Sequence, residues 1–206
     1  LLGYLINRSY FVPPLAFRYV MGIVAVTLSV VGVTQAVRVP PVKEVEVELA
    51  NLPPEFDGYR LIQLTDLHLS RLFPGSWAEK VVDKANAQNA DLIVITGDLM
   101  DGTLQARRSD VEPLGKLRAK DGVFVITGNH EYYYGYEGWM KRYEELGMTR
   151  LANSHAAISR GGSKLVLAGI TDSTAQRFDL PAPNLKGALS GAPAGAPVIL
   201  LDHKPG

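Results

Sequence analysis

Asp91-Leu92-Ile93-Val94-Ile95-Thr96-Gly97-Asp98-Leu99-Met100-Asp101 is the stretch on which the fold turns. Leu92 to Ile95 is a continuous apolar, largely β-branched run, the pattern of a strand buried on both faces of a sheet. Gly97 permits a tight turn, and that turn delivers Asp98 to the carboxyl edge of the sheet. The same pattern recurs on either side. Leu61 to Thr65 runs into Asp66-Leu67-His68, and Val123 to Thr127 runs into Gly128-Asn129-His130-Glu131. Three such strands bring Asp66, His68, Asp98, Asn129 and His130 to one edge. These are oxygen and nitrogen donors of the kind that hard and borderline divalent metals take. Asp66 and His68 lie two apart, so in an extended segment both side chains leave on one face.

In this order, Asp66-x-His68, Gly97-Asp98-x-x-Asp101 and Gly128-Asn129-His130-Glu131 resemble the motifs of the calcineurin-like metallophosphoesterases, from about Val45 onward. Gln63 to His68, Thr127 to Tyr133 and Leu200 to Pro205 are most similar to the bacterial membrane-associated branch, whose members include hydrolases of a UDP-linked diacylglucosamine lipid precursor. The resemblance implies an α/β fold, a two-sheet sandwich flanked by helices, with metals at the carboxyl ends of the strands. It implies two divalent ions (Mn, Fe or Zn), one held by Asp66, His68 and Asp98, the other by Asp98, Asn129 and His203. Asp98 is then the bridge, because a carboxylate can span cations about 3.5–4 Å apart. His130 faces the substrate and donates a proton to the leaving group, while Asp101 and Glu131 orient loops and ligands. The family pattern closes with Gly-His-x-His, which these 206 residues lack. The expectation is a catalytic domain cut short after His203, inactive by itself.

Each residue also has a plainer reading. Asp98 can cap a helix, Asn129 can serve a turn, and His203 can be a surface histidine. Tyr132, Tyr133 and Tyr134 either flank an apolar part of a substrate or cover the edge of the core. His155 sits in a polar turn and is assigned no chemistry.

Tyr19 to Val37 carries no charge and is bracketed by Arg18 and Arg38, which predicts a transmembrane helix over about 19–37. A signal peptide ending near Thr34-Gln35-Ala36 is the competing reading. Leu1 to Ile6 reads as the tail of an earlier span, with Asn7 to Pro14 as a connecting loop. Residues 1–39 thus form a membrane anchor region and 40–206 the phosphoesterase domain, divided at Pro40-Pro41. Basic residues flank the helix on both sides and leave its orientation open.

Within the domain, Val42 to Leu49 alternates as a half-exposed strand. Trp77 to Gln88 reads as a helix, and a second helix runs through Val111, Leu114 and Leu117. A third carries Trp139, Met140, Tyr143 and Leu146 to a stop at Gly147. Arg150–Leu151, Ala156–Ser159 and Leu165–Gly169 read as strands of a second sheet, with a turn at Gly161-Gly162. Phe178 to Pro197 reads as loop with one short helix, and Val198 to Leu201 as a buried strand.

The 21 basic and 21 acidic residues balance, so no global field favours nucleic acid. The absence of cysteine excludes disulfides, thiolate metal sites and thiol nucleophiles. The expected function is hydrolysis of a phosphodiester or pyrophosphate by metal-activated water, on a lipid-linked or envelope substrate, from a protein anchored in a bacterial membrane. A non-catalytic scaffold and a nuclease of the same superfamily are the alternatives.

Overall fold

The computed structural model of the protein describes residues 12–49 and 51–204. The expected early span at Leu1 to Ile6 lies outside them. The chain divides into two units, Leu1–Pro41 and Val42–Gly206.

The first unit holds one helix, α1 (Leu15–Ala36), none of whose side chains is buried. It begins four residues before the uncharged run, directly after Pro14, which suits a helix start because a proline lacks only an N–H that would be unpaired there. Two of its hydroxyls bond back into the helix, Ser29 Oγ to Ala25 O (2.8 Å) and Thr34 Oγ1 to Val30 O (2.8 Å), so these two are satisfied without water. Twenty-two residues rise about 33 Å, enough for a hydrocarbon core.

The second unit is α/β with two sheets. β1 (Leu61–Leu64), β2 (Leu92–Ile95), β3 (Val123–Val125) and β4 (Thr149–Arg150) form a parallel sheet in that order. β5 (Ser154–Arg160), β6 (Ser163–Gly169) and β7 (Val198–Leu201) form the second, with β5 antiparallel and β7 parallel to β6. The β5–β6 hairpin turns through Gly161 and Gly162, both at positive φ, as a two-residue turn demands. One face of the parallel sheet (Leu92, Val94, Phe124, Ile126) shares a core with Ile158, Leu165, Leu167 and Leu201 of the second. The alternate set, Ile93, Ile95 and Val125, is equally buried, as expected of parallel strands covered on both faces. Helices α2 (Gly75–Asn86), α3 (Leu104–Val111), α4 (Asn129–Tyr133), α5 (Tyr136–Glu145) and α6 (Leu185–Ala188) complete the unit.

Several sequence expectations are corrected. Val42 to Leu49 forms no strand: its alternation defines two faces, but no strand pairs with it among the described residues. The strand at residue 150 joins the parallel sheet beside β3 and not the second sheet, because its two residues register against Phe124 and Val125. β7 is an edge strand, with Val198 and Leu200 44% and 41% exposed, where a buried strand was expected. The second helix is shifted: α3 ends at Val111 and a 3-10 turn, Glu112–Lys116, follows, since Pro113 cannot donate to a continuing α-helix.

At the amino-terminal ends of β2 and β3, a charged tie joins the parallel sheet to the last residue of β5. Asp91, just before β2, accepts from Arg60 N (2.8 Å), Lys120 Nζ (2.8 Å) and Arg160 of β5 (2.9 Å). Arg160 also donates to Asp121 (2.8 Å) and lies 4.6 Å over the Tyr59 ring. Burial alone would raise the Asp91 carboxyl, but these donors outweigh it and hold it well below the usual carboxylate range. A depressed carboxyl stabilises the fold above its unfolded pKa of about 3.9, and that contribution is lost as pH falls through the lower folded value. Asp91→Asn should therefore lower the unfolding free energy by about 1–3 kcal/mol at pH 7 in urea titration. The gap to wild type should narrow on strong acidification, and a gap that widened there would refute the assignment.

Candidate active site

Because β1, β2 and β3 are parallel, the loops that follow them leave from one edge. The pairing continues past the strands. Asp66 N donates to Gly97 O (3.2 Å), His68 N to Asp98 O (3.0 Å) and Asp101 N to Leu69 O (2.8 Å). Asp66, His68 and Asp98 all sit at positive φ (52°, 43° and 53°), a backbone state uncommon for residues with a Cβ. This corrects the expectation of an extended Asp66-x-His68. The two side chains converge through left-handed turns, between which Leu67 points into the core.

Close packing of the second and third loops requires two glycines. A Cβ on Gly97 would lie 2.2 Å from Gly128 N, and one on Gly128 would lie 2.1 Å from Asp98 Oδ1. Fully buried Glu131 ties the same loops together. Its Oε2 accepts from Gly128 N (2.7 Å) and Asp98 N (3.1 Å), and its Oε1 from Leu99 N (2.9 Å) and Tyr143 OH (3.3 Å). Burial pushes this carboxyl up, and the backbone donors offset part of the effect. Trp139 Nε1 donates to Gly102 O (3.2 Å), so α5 braces the second loop as well. Trp139 and Tyr143 read in the sequence only as one apolar helix face. Nothing in their spacing signalled contact with the loops.

Asp98 is the common point. Its side chain is 5% exposed, and its Oδ2 faces His203 Nε2 (3.4 Å), His68 Nε2 (3.7 Å) and His130 Nε2 (3.9 Å). Each ring is oriented from its far side. His203 Nδ1 donates to Thr96 O (2.7 Å), while the Nδ1 atoms of His68 (2.9 Å) and His130 (2.5 Å) both meet Asp101 Oδ1. With Nδ1 carrying the proton, a neutral ring presents the Nε2 lone pair to the cluster. His68 Nε2 is also 3.7 Å from Asp66 Oδ1.

Two groups of donors have ligand atoms close enough to share an ion: Asp66 with Asp98 and His203, and His68 with Asp101 and His130. The sequence reading placed His68 with Asp66 and Asp98, and His68 Nε2 lies 3.7 Å from a carboxylate oxygen of each, while its Nδ1 side reaches Asp101. Asn129 opens α4 half-buried, next to His130, whose N–H donates to Asp98 Oδ1 (2.9 Å). The tyrosines divide. Tyr132 is buried and stacks on Tyr136 (5.0 Å), whereas Tyr133 and Tyr134 each bring their ring within 5.8 Å of the His130 ring.

Burial would raise the Asp98 carboxyl, but His203 and His130 hold it below its ordinary value. The hydrogen bond to Asp98 lifts His203 to about 9. Desolvation lowers His68, yet Asp101 and the other carboxylates raise it on balance. A donor set of carboxylates facing imidazole nitrogens, with Nδ1 fixed elsewhere, fits a divalent cation, and protons are what the cation displaces. Raised histidines stay protonated to higher pH, so Mn²⁺ affinity should increase as pH rises from about 6 to 9, with proton release on binding. Calorimetry in buffers of different ionisation enthalpy measures this, and buffer-independent heats would contradict it.

The family model of the calcineurin-like phosphoesterases matches residues 59–205. A "Transmembrane protein with metallophosphoesterase domain" from Danio rerio is 36% identical over 89% of this chain and 43% of its own length. One of the same description from Bos taurus is 34% identical over 93% of this chain and 45% of its own length. An uncharacterized metallophosphoesterase of Helicobacter pylori strain 26695 is 32% identical over 81% of this chain and 43% of its own length. The chain thus spans less than half the length of these relatives. With the family model covering the site loops and both sheets, this chain belongs to the calcineurin-like phosphoesterase family.

Proposed function

We propose that the protein is a dinuclear-metal phosphodiesterase or pyrophosphatase, with Asp66, His68, Asp98, Asn129 and His203 holding two divalent cations (Mn, Fe or Zn). The single observation that carries the reading is the convergence of three histidine Nε2 atoms on Asp98 Oδ2, within 3.4–3.9 Å. When bound, such cations supply positive charge for an attacking water and for the phosphoryl oxygens. The chain's own part is to hold geometry and move a proton. Asp98 presents two oxygens, one of them also fixed by the His130 N–H. Asp101 accepts from the Nδ1 side of His130, so that in its imidazolium form the ring directs Nε2–H toward the cluster, the side from which a proton can pass to a leaving oxygen.

Asp98→Ala in the intact protein should lose both bound metal and hydrolysis of bis-p-nitrophenyl phosphate. His130→Ala should keep its metal while turnover falls by about 10²–10⁴-fold. Metal content by mass spectrometry, beside steady-state rates, separates the two. Full activity with unchanged metal in Asp98→Ala would remove the bridge, and metal loss in His130→Ala would make that residue a ligand.

The substrate is then a phosphoester, lipid-linked if α1 anchors the domain at a membrane. Support comes from the 22-residue apolar length of α1 and from relatives described as transmembrane proteins with a metallophosphoesterase domain. The intact protein should remain with membranes after an alkaline carbonate wash, whereas a version beginning at Pro40 should be released. Uncleaved intact protein in the wash supernatant would reject the anchor.

A further inference from the structure

Beside the histidine cluster lies a groove of about 520 Å³ lined by Tyr133, Ser173, Thr174, Gln176, Arg177 and Lys204. Two of its walls are neighbours of the site. Tyr133 follows His130 on α4, with ring centroids 5.8 Å apart, and Lys204 follows His203. Phe178 extends the aromatic wall, its ring 6.0 Å from that of Tyr133. Both rings are unusually open for their size, Tyr133 at 47% and Phe178 at 43%. The charge is as uneven as the apolar surface. Arg177 is exposed and has no ion pair among the described residues, and Lys204 has one acidic partner there, Asp172 Oδ2 at 3.6 Å. That oxygen belongs to a side chain 1% exposed, lacks any hydrogen bond, and lies at the base of the segment carrying Arg177. Asp172 thus holds Lys204 over the groove, and Arg177 leaves the lining with a net positive charge.

Cations beside open aromatic faces bind an anion joined to a flat ring, since guanidinium and ammonium groups pair with phosphate while the rings stack. We infer that this groove is a subsite for the leaving-group side of the substrate, selecting a phosphate-bearing aromatic group, with Arg177 and Lys204 on the anion and Tyr133 and Phe178 on the ring. The leaving-group assignment rests on the phosphoesterase reading, whereas the binding site itself does not.

ADP is a suitable probe because it carries both features, with pyrophosphate (anion only) and adenosine (ring only) as controls. In competition with bis-p-nitrophenyl phosphate on the intact protein, ADP should inhibit at least about tenfold more tightly than either control, the size of one stacking or charge-assisted contact. Arg177→Glu and Tyr133→Ala should each weaken ADP by about tenfold. Tyr133→Ala should leave pyrophosphate inhibition unchanged, and Arg177→Lys should restore part of the ADP affinity. Lys164→Glu, exposed at the far end of β6, controls for bulk charge. ADP binding no tighter than pyrophosphate, or unaffected by both groove variants, overturns the subsite. If the wild type shows no metal-dependent hydrolysis, the phosphoesterase reading fails, and the subsite is decided by direct calorimetric titration with ADP: saturable binding lost in Arg177→Glu upholds it, and no binding overturns it.

Discussion

A buried carboxylate cannot stand alone, and the one at Glu131 organises the working edge of this domain. Two backbone N–H groups from the second loop, one from the third and a phenol from α5 converge on its two oxygens. Removing those partners would leave a charge in the interior, an arrangement costing several kcal/mol. The loops are therefore locked in their mutual position before any ligand arrives. Gly97 and Gly128 are the steric counterpart, since neither loop could approach the other with a Cβ at either position.

Rigidity of this kind explains how three ligand-type residues persist in left-handed backbone. Positive φ at Asp66, His68 and Asp98 is unfavourable for each by itself, and it holds only where the surroundings over-determine it. The surroundings here are a ladder of backbone bonds running beyond the strands, from Asp66 to Gly97, His68 to Asp98 and Asp101 to Leu69. The strain aims polar groups toward one point. Asp98 gains the approach of three imidazoles, and each imidazole is turned by an acceptor on its other side, Thr96 O or Asp101. Preorganised polarity of this type suits a site that must hold charge without reorganising.

The domain separates its tasks by sheet edge. The amino-terminal edge carries the Asp91–Arg160–Asp121 tie, which joins the sheets and is fully paired. The carboxyl edge carries carboxylates and histidines whose ligand atoms lie close to one another, together with an open groove beside them. Carboxylates and imidazoles face one another at the carboxyl edge, where a cation can replace the histidine protons, whereas permanently charged arginine and lysine pair with carboxylates where the fold is held.

Sequence by itself determined the three motif-bearing strands, the glycine turns and the order in which acidic and histidine residues reach one edge. The apolar, β-branched runs Leu92–Ile95 and Val123–Val125 suit strands buried on both faces, and Gly97 and Gly128 lie just beyond the point where each run stops. The long apolar helix and the Gly161-Gly162 hairpin were legible for the same local reason. Tertiary structure alone decided what lay between distant residues. The placement of residues 149–150 in the parallel sheet, the lack of a partner for Val42 to Leu49 and the exposure of β7 depend on neighbours far along the chain, which local alternation does not encode. So do the Tyr143 and Trp139 braces and the convergence of His68 and His130 on Asp101. A hydrogen bond between residues some thirty apart leaves no periodic trace, because periodicity reports only which face of an element is buried.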